Sequence, residues 1–342
     1  MRAMVQVDFG GPEVVHLRNV VEPAMGSDDV LVRVGACGLN RLDLIQRNGP
    51  GVLPGFRLPH IAGMDVAGTV VARGDRVRDI ADGARVVIDP TQGCGLCRNC
   101  AAGQRAYCEQ MRIIGGNVPG GLAEFVAVRA DTVMAIPDDR SLVDAATLPT
   151  AWATGWHAVV TAAGVAPGEC VIVQAGASAM SLAIIQIAGR AGATVVAVAS
   201  SDEKLDAARK AGAALGVRNE QQLADTVREF TQGAGADVVI DHVGAATWED
   251  SLASLSVGGR MVLLGNTSGD RVSFSLANVF HRGLRLIGAG GYTAQDFRAA
   301  IDAAFGAGVH LPVAGEYPLD DLPAAWTAVE SRETVGKVVV VP

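Results

Sequence analysis

The sequence is short of positive charge and of aromatic side chains. Its 28 lysines and arginines are outnumbered by 36 aspartates and glutamates, a net charge of −8, and aromatic residues make up only 4% of the chain. An acidic chain without a basic stripe argues against general nucleic-acid binding. No apolar run reaches about 18 residues without a charge or a glycine cluster, so no membrane span is expected. The residues after Met1 lack the apolar core of a signal peptide, and we therefore expect a cytoplasmic protein with reduced cysteines.

Apolar residues and glycine are abundant instead. Hydrophobic residues make up 49% of the 342 residues and charged residues 19%, which excludes a disordered chain. The 42 glycines follow no G-X-Y period, so they indicate tight turns rather than collagen. At roughly 150 residues per domain, the chain is long enough for about two domains with cores of their own.

Four of the six cysteines lie close together, in the pattern C-x2-C-x2-C-x7-C formed by Cys94, Cys97, Cys100 and Cys108. In a reduced protein this spacing predicts a tetrahedral thiolate zinc site with no open position, which holds a lobe in shape and does no chemistry. Two alternatives stay open. An iron–sulfur cluster uses similar spacing, although Glu109 rather than proline follows the fourth cysteine, and the loop could also hold no metal.

Short strand patterns separated by Gly and Asp fill the first 145 residues. They are Met4–Val7, Val14–Leu17, Asp29–Val34, Asp65–Val71 and Ala84–Ile88. Such runs are typical of antiparallel strands. We predict a strand-rich domain over residues 1–145, with the cysteine lobe inserted at about residues 90–112.

Beyond residue 145, apolar strands alternate with amphipathic helices. The strand patterns are Cys170–Gln174, Thr194–Ala199, Asp237–Asp241 and Arg260–Leu264, and helical spacing covers Ser178–Ala191 and Asp202–Gly212. Apolar strands with helices between them predict an α/β domain whose parallel sheet is covered on both faces. We predict this domain over residues 146–290, and residues 291–342 are predicted to return to the first domain.

The turn after the first of these strands is where such a sheet binds a dinucleotide. Backbone N–H groups and a helix N-terminus hold the pyrophosphate there, and glycines allow its close approach. In this chain the G-x-G-x-x-G pattern becomes Gly176-x-Ser178-x-x-Ser181, with Ala179 and Met180 between the serines. Two interpretations remain: an altered but working pocket, or a loop that has drifted because no dinucleotide binds.

The end of the second strand bears on the choice of cofactor. An NAD site usually places a carboxylate there, on the ribose hydroxyls. This chain has Ser200 and Ser201 instead, followed by Lys204. Hydroxyls and a lysine suit a 2′-phosphate, so NADPH is favoured over NADH. Lys204 could equally be a solvated helix residue.

Together these features resemble the medium-chain dehydrogenase/reductase superfamily, over essentially the whole chain. The stretch Asn40–Gly49 resembles the N-x-x-D-x-x-x-R-x-G of quinone oxidoreductase-like members. Further landmarks of the superfamily are matched by Leu58–Gly68, Gly120–Phe125, Asp241–Gly244 and Gly336–Val339. The resemblance implies a GroES-like strand-rich domain, a Rossmann domain and a structural zinc at the four cysteines, one per chain. It also implies a homodimer that acts on a small molecule.

The resemblance locates a second metal position, and here the sequence departs from the zinc alcohol dehydrogenases. Asn40 stands where those enzymes have a ligating Cys, Met64 replaces the ligating His, and Thr150 stands near the third ligand. Asn, Met and Thr do not make a stable zinc site, and Asp65 alone would be one ligand of four. We therefore predict no catalytic metal, in contrast to the structural one.

The leading hypothesis is an NADPH-dependent reductase that transfers hydride to an activated C=C bond or a quinone. Its candidate catalytic residues are Asn40, Asp43 and Thr150. The resemblance also implies a set of cofactor-binding residues: Arg41, Thr154, Gly176, Ser178, Ala179, Ser200, Ser201, Lys204, Val243, Gly265 and Lys337. Two other hypotheses stay open because the glycine loop is degenerate. One is a cofactor-independent cyclase or isomerase in the same cleft, and the other is a binding protein with a silent site.

Overall fold

The computed structural model describes residues 1–49 and 53–342, which form two compact units. The first unit consists of Met1–Thr150 and Thr293–Pro342, and the second of Ala151–Tyr292. The sequence patterns place these boundaries at 145/146 and 290/291. Within the described ranges, no helix combines the length and apolar character needed to cross a bilayer.

Short apolar runs between turns form the strands of the first unit. In chain order they are β1 (Arg2–Gln6), β2 (Val15–Asn19), β3 (Asp29–Gly38), β4 (Asp65–Arg73), β5 (Arg85–Ile88), β6 (Thr91–Gln92), β7 (Arg112–Ile113), β8 (Phe125–Arg129) and β9 (Val133–Ala135). The α-helices of this part are α1 (Arg41–Asn48), α2 (Arg98–Ala101) and α3 (Leu142–Ala146), and 3₁₀ turns cover Pro12–Val14, Arg105–Tyr107 and Ala130–Thr132.

The second unit alternates strand and helix, as its sequence predicts. Its strands are β10 (Cys170–Val173), β11 (Thr194–Ala199), β12 (Leu215–Arg218), β13 (Ala236–Asp241), β14 (Leu255–Leu263) and β15 (Arg285–Gly288). Its helices are α4 (Pro149–Trp156), which begins in the first unit and continues as a π-helix (His157–Ala163), then α5 (Ala179–Arg190), α6 (Asp202–Lys210), α7 (Leu223–Phe230), α8 (Trp248–Ser254) and α9 (Leu276–His281).

The chain then returns to the first unit. This segment contains α10 (Ala294–Gly306), β16 (Val313–Pro318), a 3₁₀ turn (Leu319–Asp321), α11 (Leu322–Glu330) and β17 (Lys337–Val341). Strand β17 is apolar along its length and pairs with β3, so the last residues complete the first sheet.

The large sheet of the first unit has the order β16-β17-β3-β4-β5-β9, and β8 also pairs with β3. Alternate residues of β3, among them Val30 and Val32, point into the core and are fully buried. The register places Gly38 opposite both Asp65 and Val339. The end of β3, the start of β4 and the start of β17 therefore meet at one edge.

The sheet of the second unit is parallel throughout, with the order β12-β11-β10-β13-β14-β15. Ile172 and Val239 from its central strands are fully buried, as expected for a sheet covered on both faces. The predicted α/β fold is confirmed. Strand β10 lies between β11 and β13, so the connections that follow these strands meet where the strand order reverses, the usual ligand position in such sheets.

Candidate functional site

The four clustered cysteines converge on one point. Their sulfur atoms all lie within 4.8 Å of one another, and the Sγ atoms of Cys94 and Cys100 are 3.9 Å apart. Four sulfurs around one zinc ion at about 2.3 Å are about 3.8 Å apart from each other. The donor set therefore fits a tetrahedral zinc ion with no open position.

Backbone N–H groups donate hydrogen bonds to two of these sulfur atoms. The N–H groups of Leu96 and Cys97 donate to Cys94 Sγ at 3.4 and 3.3 Å, and the N–H of Cys94 donates to Cys108 Sγ at 3.4 Å. The N–H groups of Leu96 and Cys97 lower the pKa of Cys94 to about 6, because they favour the thiolate. The backbone thus favours the zinc-binding thiolate form at Cys94, whereas burial raises the pKa of Cys100 to about 12.

A buried ion pair lies at the edge of the first sheet. Asp65, at the start of β4, is fully buried, and Lys337, at the start of β17, is 3% exposed. The Lys337 Nζ atom lies 2.5 Å from Asp65 Oδ2. The other oxygen, Oδ1, accepts hydrogen bonds from the backbone N–H of Thr150 at 3.0 Å and from the Thr150 hydroxyl. Both oxygens of the Asp65 carboxylate are therefore engaged.

The same lysine fixes the orientation of Asn40. Lys337 Nζ donates to Asn40 Oδ1 at 2.7 Å, and an ammonium can only donate, so the Nδ2 end of this amide points the other way. The Nδ2 atom is covered from solvent and has no acceptor among the described residues. A buried N–H donor without a hydrogen bond costs free energy, and an acceptor oxygen within hydrogen-bond distance of Asn40 Nδ2 would remove that cost.

Asp43 connects this edge to helix α1. Its carboxylate accepts from the N–H of Asn40 at 2.7 Å and from the N–H of Gly63 at 3.2 Å. Burial raises the pKa of Asp43 to about 7; the two N–H donors and Lys337 act against this rise, and Asp65 adds to it. Asp43 thus joins the start of α1 to the loop before β4, and its contacts in the described chain are backbone groups.

The predicted catalytic residues Asn40 and Thr150 are brought together around Asp65 and Lys337, and Asp43 lies next to them. Met64 is buried beside Asp65 in the chain. An amide, a thioether, a hydroxyl and a carboxylate that already pairs with an ammonium do not fit a zinc ion. The donor set at this position therefore differs in kind from that of the cysteine lobe.

The second unit carries the predicted dinucleotide loop, Ala175–Ser181, which covers the turn after β10 and the first residues of α5. Gly176 donates its N–H to Val198 O at 2.8 Å, and a Cβ at this position would lie 3.0 Å from the Cβ of Ala197. The close packing of Gly176 against Ala197 therefore leaves little room for a side chain at position 176. Ser178 caps α5 by accepting from the N–H of Ser181 at 3.0 Å. The first two N–H groups of α5 have no partner within the helix, which is the usual anion-binding arrangement.

The end of β11 carries hydroxyls and cations. Ser201 caps α6, and Lys204 Nζ donates to Ser200 Oγ at 3.1 Å. Arg218, which no sequence motif identifies, lies opposite Ala199 in the β11–β12 register and pairs with Asp202 and Glu220, each at 3.3 Å. Strand pairing is what places Arg218 here, and a single sequence does not contain that information.

Other predicted cofactor residues follow the strand ends of the second sheet. Val243 follows β13, and Gly265 follows β14, where an added Cβ would lie 2.5 Å from His242 O. Thr154 is half-buried in α4. Arg41 and Lys337 belong instead to the first unit: Arg41 is exposed at the first position of α1, and Lys337 is in the ion pair with Asp65.

Comparison with known proteins agrees with this architecture. The family model "Alcohol dehydrogenase GroES-like domain" matches residues 26–138, and "Zinc-binding dehydrogenase" matches residues 179–305. The chain is 30% identical over 351 residues to "Quinone oxidoreductase-like protein 2" of Rattus norvegicus, covering 99% of this chain and 91% of the relative. It is 26% identical over 341 residues to "Acryloyl-coenzyme A reductase" of Sulfurisphaera tokodaii, covering 97% and 98%.

Among solved structures, a crystal structure of an NAD-dependent alcohol dehydrogenase superposes with a TM-score of 0.96 at 35% identity over the full length of both chains. The GroES-like and Rossmann domains expected from the sequence are thereby confirmed. The chain belongs to the medium-chain dehydrogenase/reductase superfamily of oxidoreductases, with a zinc-binding dehydrogenase domain.

Proposed function

We propose that the protein is an NADPH-dependent reductase that saturates a C=C bond conjugated to a carbonyl, or reduces a quinone, without a catalytic zinc ion. The observation that carries this proposal is the buried Asp65–Lys337 pair. It places an ammonium, two neutral side chains and an engaged carboxylate where zinc alcohol dehydrogenases hold their metal. Oxidation of a simple alcohol would lack its Lewis acid at such a site.

Asn40 supplies what a conjugated carbonyl needs. NADPH, when bound, would supply the hydride. Reduction would add this hydride at the β carbon of the substrate and a proton from water at the α carbon, so that one double bond is reduced and negative charge develops on the carbonyl oxygen on the way. The Nδ2–H group of Asn40 donates to the oxygen on which negative charge develops. Lys337 holds that amide in the donating orientation.

The choice of NADPH rests on the end of β11. Residues 200 and 201 are serines, so the carboxylate that usually accepts from the ribose hydroxyls of NAD is missing there. The Lys204 ammonium and the Arg218 guanidinium, which pairs with Asp202 and Glu220, lie at this edge, and both are donors that suit a 2′-phosphate. The similar crystal structure is named as NAD-dependent, so a direct comparison of the two cofactors is the sharpest test of this part.

The names of the relatives support a conjugated substrate. An acryloyl-coenzyme A reductase reduces a C=C bond next to a thioester carbonyl, and a quinone oxidoreductase reduces a conjugated ring carbonyl. Both reactions place negative charge on a carbonyl-derived oxygen. A single oriented amide donor, such as Asn40, serves either of them.

The first experiment follows cofactor oxidation with three substrates: a linear enone, an enoyl thioester and a quinone. NADPH deuterated at C4 is used, and transfer of deuterium to the product identifies hydride transfer. We expect turnover with NADPH, slower turnover with NADH, and about one zinc per chain by elemental analysis. Two zinc ions per chain together with alcohol oxidation would overturn the proposal. Substrate conversion without any cofactor would favour a cyclase or isomerase.

The Asn40→Ala variant tests the donor role. Loss of one oxyanion donor is expected to lower kcat about 100-fold, while the Kd for NADPH stays within about twofold of the wild type. Asn19→Ala is the matched control, because Asn19 is exposed at the end of β2. Equal activities of the two variants would contradict a role for Asn40.

A further inference from the structure

His242 lies against the first turn of the dinucleotide helix. It follows β13 directly, and its Nε2 atom is 2.8 Å from Ser181 Oγ and 3.5 Å from Ser178 Oγ. Ser178 caps α5, and Ser181 is fully buried in its first turn at the position of the third glycine of G-x-G-x-x-G. The two serines that replace glycines are thus linked to a histidine from the neighbouring strand.

Hydrogen bonds connect this histidine to the two serines and to the residue that follows β10. The Ser181 hydroxyl donates to Gln174 O at 2.9 Å and accepts from the Ser178 hydroxyl at 2.9 Å. The Nε2 atom of His242 lies 2.8 Å from the same Ser181 oxygen. The imidazole ring therefore belongs to a hydrogen-bonded chain that begins at the cap of α5, and it can take up a proton without leaving that chain.

The surroundings keep the ring neutral in the free protein. Desolvation lowers the pKa of His242, whereas the neighbouring Asp241 and hydrogen bonds to the backbone carbonyls of Gln174 and of His242 itself act in the opposite direction. Asp241 is the charged group that acts on the ring, and its oxygens are already engaged: Oδ1 accepts from the N–H groups of Val243 and Gly244, and Oδ2 accepts from the hydroxyls of Thr247 and Ser251. Four donors disperse the charge of this carboxylate, so it gives an imidazolium little support.

We propose that His242 is part of the dinucleotide site and takes up a proton when a dinucleotide pyrophosphate binds at the start of α5. This inference rests on the dinucleotide binding proposed above. The pyrophosphate brings negative charge to the open N–H groups of Ala179 and Met180, within the same helical turn that His242 contacts. A negative charge bound at this helical turn favours the imidazolium form of His242, which desolvation disfavours in the free protein.

The direction of the pH effect follows from this linkage. The pKa of His242 is low in the free protein and higher in the complex. The complex therefore binds more protons than the free protein in the interval between these two values, and affinity rises as pH falls through that interval. The serine–histidine chain thus compensates for the missing glycines with a positive charge that forms when the ligand binds.

The test is calorimetric titration of the zinc-loaded protein at pH 7 in two buffers of different ionisation enthalpy. The difference in apparent heat gives the number of protons taken up. NADH is the main probe because its pyrophosphate does not titrate near neutral pH. NADPH is titrated in parallel, since a phosphate monoester such as its 2′-phosphate titrates at about pH 6 and adds protons of its own.

We expect the wild type to take up about 0.2–1 proton per NADH and to bind about three- to tenfold more tightly at pH 6 than at pH 8. His242→Gln keeps an N–H donor to Ser181 but cannot be protonated, so its proton uptake should be near zero and its affinity nearly independent of pH. His281→Gln, on an exposed position of α9, is the control and should behave as the wild type.

The outcomes separate the two proposals. Binding without proton uptake, or uptake that His242→Gln retains, overturns the role of His242 and leaves the reductase proposal intact. Absence of binding by both NADH and NADPH overturns both. Loss of uptake in His242→Gln alone, with circular dichroism unchanged, supports the inference.

Discussion

The first unit contains two positions that the sequence resemblance associates with a metal ion, and their side chains differ in kind. At the lobe, four cysteine sulfurs lie within 4.8 Å of one another, and backbone N–H groups favour the thiolate at Cys94. At the edge of the large sheet, the neutral side chains Asn40 and Thr150 surround an Asp65 carboxylate that is paired with Lys337. One position has a complete soft donor set, and the other has an internal cation.

The two positions also differ in how the chain builds them. The lobe ligands are close in sequence, and in the described part of the chain their sulfur atoms hydrogen-bond with each other and with nearby backbone N–H groups. The second position is built from four distant parts of the chain. Its buried carboxylate, Asp65, is neutralised by Lys337 at the start of β17.

The largest effect is expected from removing that cation. Lys337→Met leaves the buried Asp65 carboxylate unpaired and should destabilise the protein by about 3–5 kcal/mol. Urea unfolding followed by circular dichroism measures this. The double variant Asp65→Asn/Lys337→Met should recover most of the loss, and Lys210→Met on the surface of α6 should have little effect. If the double variant loses as much unfolding free energy as Asp65→Asn and Lys337→Met lose together, the Asp65–Lys337 pair does not stabilise this edge of the sheet.

Removing one lobe ligand should give a smaller, local loss. Cys97→Ser is expected to reduce the zinc content from about one ion per chain to near zero and to lower the thermal midpoint by about 5 °C. Elemental analysis and calorimetry measure the two quantities. Cys170→Ser, outside the lobe, is the control and should keep its zinc. Retention of zinc by Cys97→Ser would show that the metal is held elsewhere.

The smallest effect concerns Asp43, whose pKa is raised to about 7 by burial. A carboxyl group with a raised pKa contributes stability at low pH, and the contribution is lost as pH rises from about 4 to about 7. In Asp43→Asn this contribution is absent. The variant should be less stable than the wild type at pH 6, because one N–H group loses its acceptor, and the gap should narrow by about 1 kcal/mol at pH 8. An equal gap at both values would mean that Asp43 is ionised at pH 6.

The sequence predicts most clearly what depends on local spacing. The cysteine lobe, the parallel sheet and the altered glycine loop were each visible as a pattern, because their residues are neighbours in the chain or repeat with a fixed period. The absence of metal ligands at Asn40 and Met64 was also readable from residue types alone. Each of these features depends on residue types and spacings within a short stretch of the chain.

The sequence does not predict partners that meet through strand order. Lys337 is predicted to bind the cofactor, and that stays a prediction; its ion pair with Asp65, which forms because β17 pairs with β3, is not predicted from the sequence. Arg218 reaches the end of β11 through the β11–β12 register, and His242 reaches Ser181 because β13 lies next to β10. These contacts require the order of the strands, which a single sequence does not state.

The position of Lys337 also has a consequence for how the protein is made. The N-terminal part of a chain leaves the ribosome first, so Asp65 emerges long before Lys337, the residue that neutralises it. The whole of the second unit, Ala151–Tyr292, emerges between the two. The second unit can fold while the first still lacks β17. The Asp65–Lys337 pair can therefore form only after residue 337 has emerged, and a nascent chain stalled before that residue carries an unpaired acidic group at this edge of the first sheet.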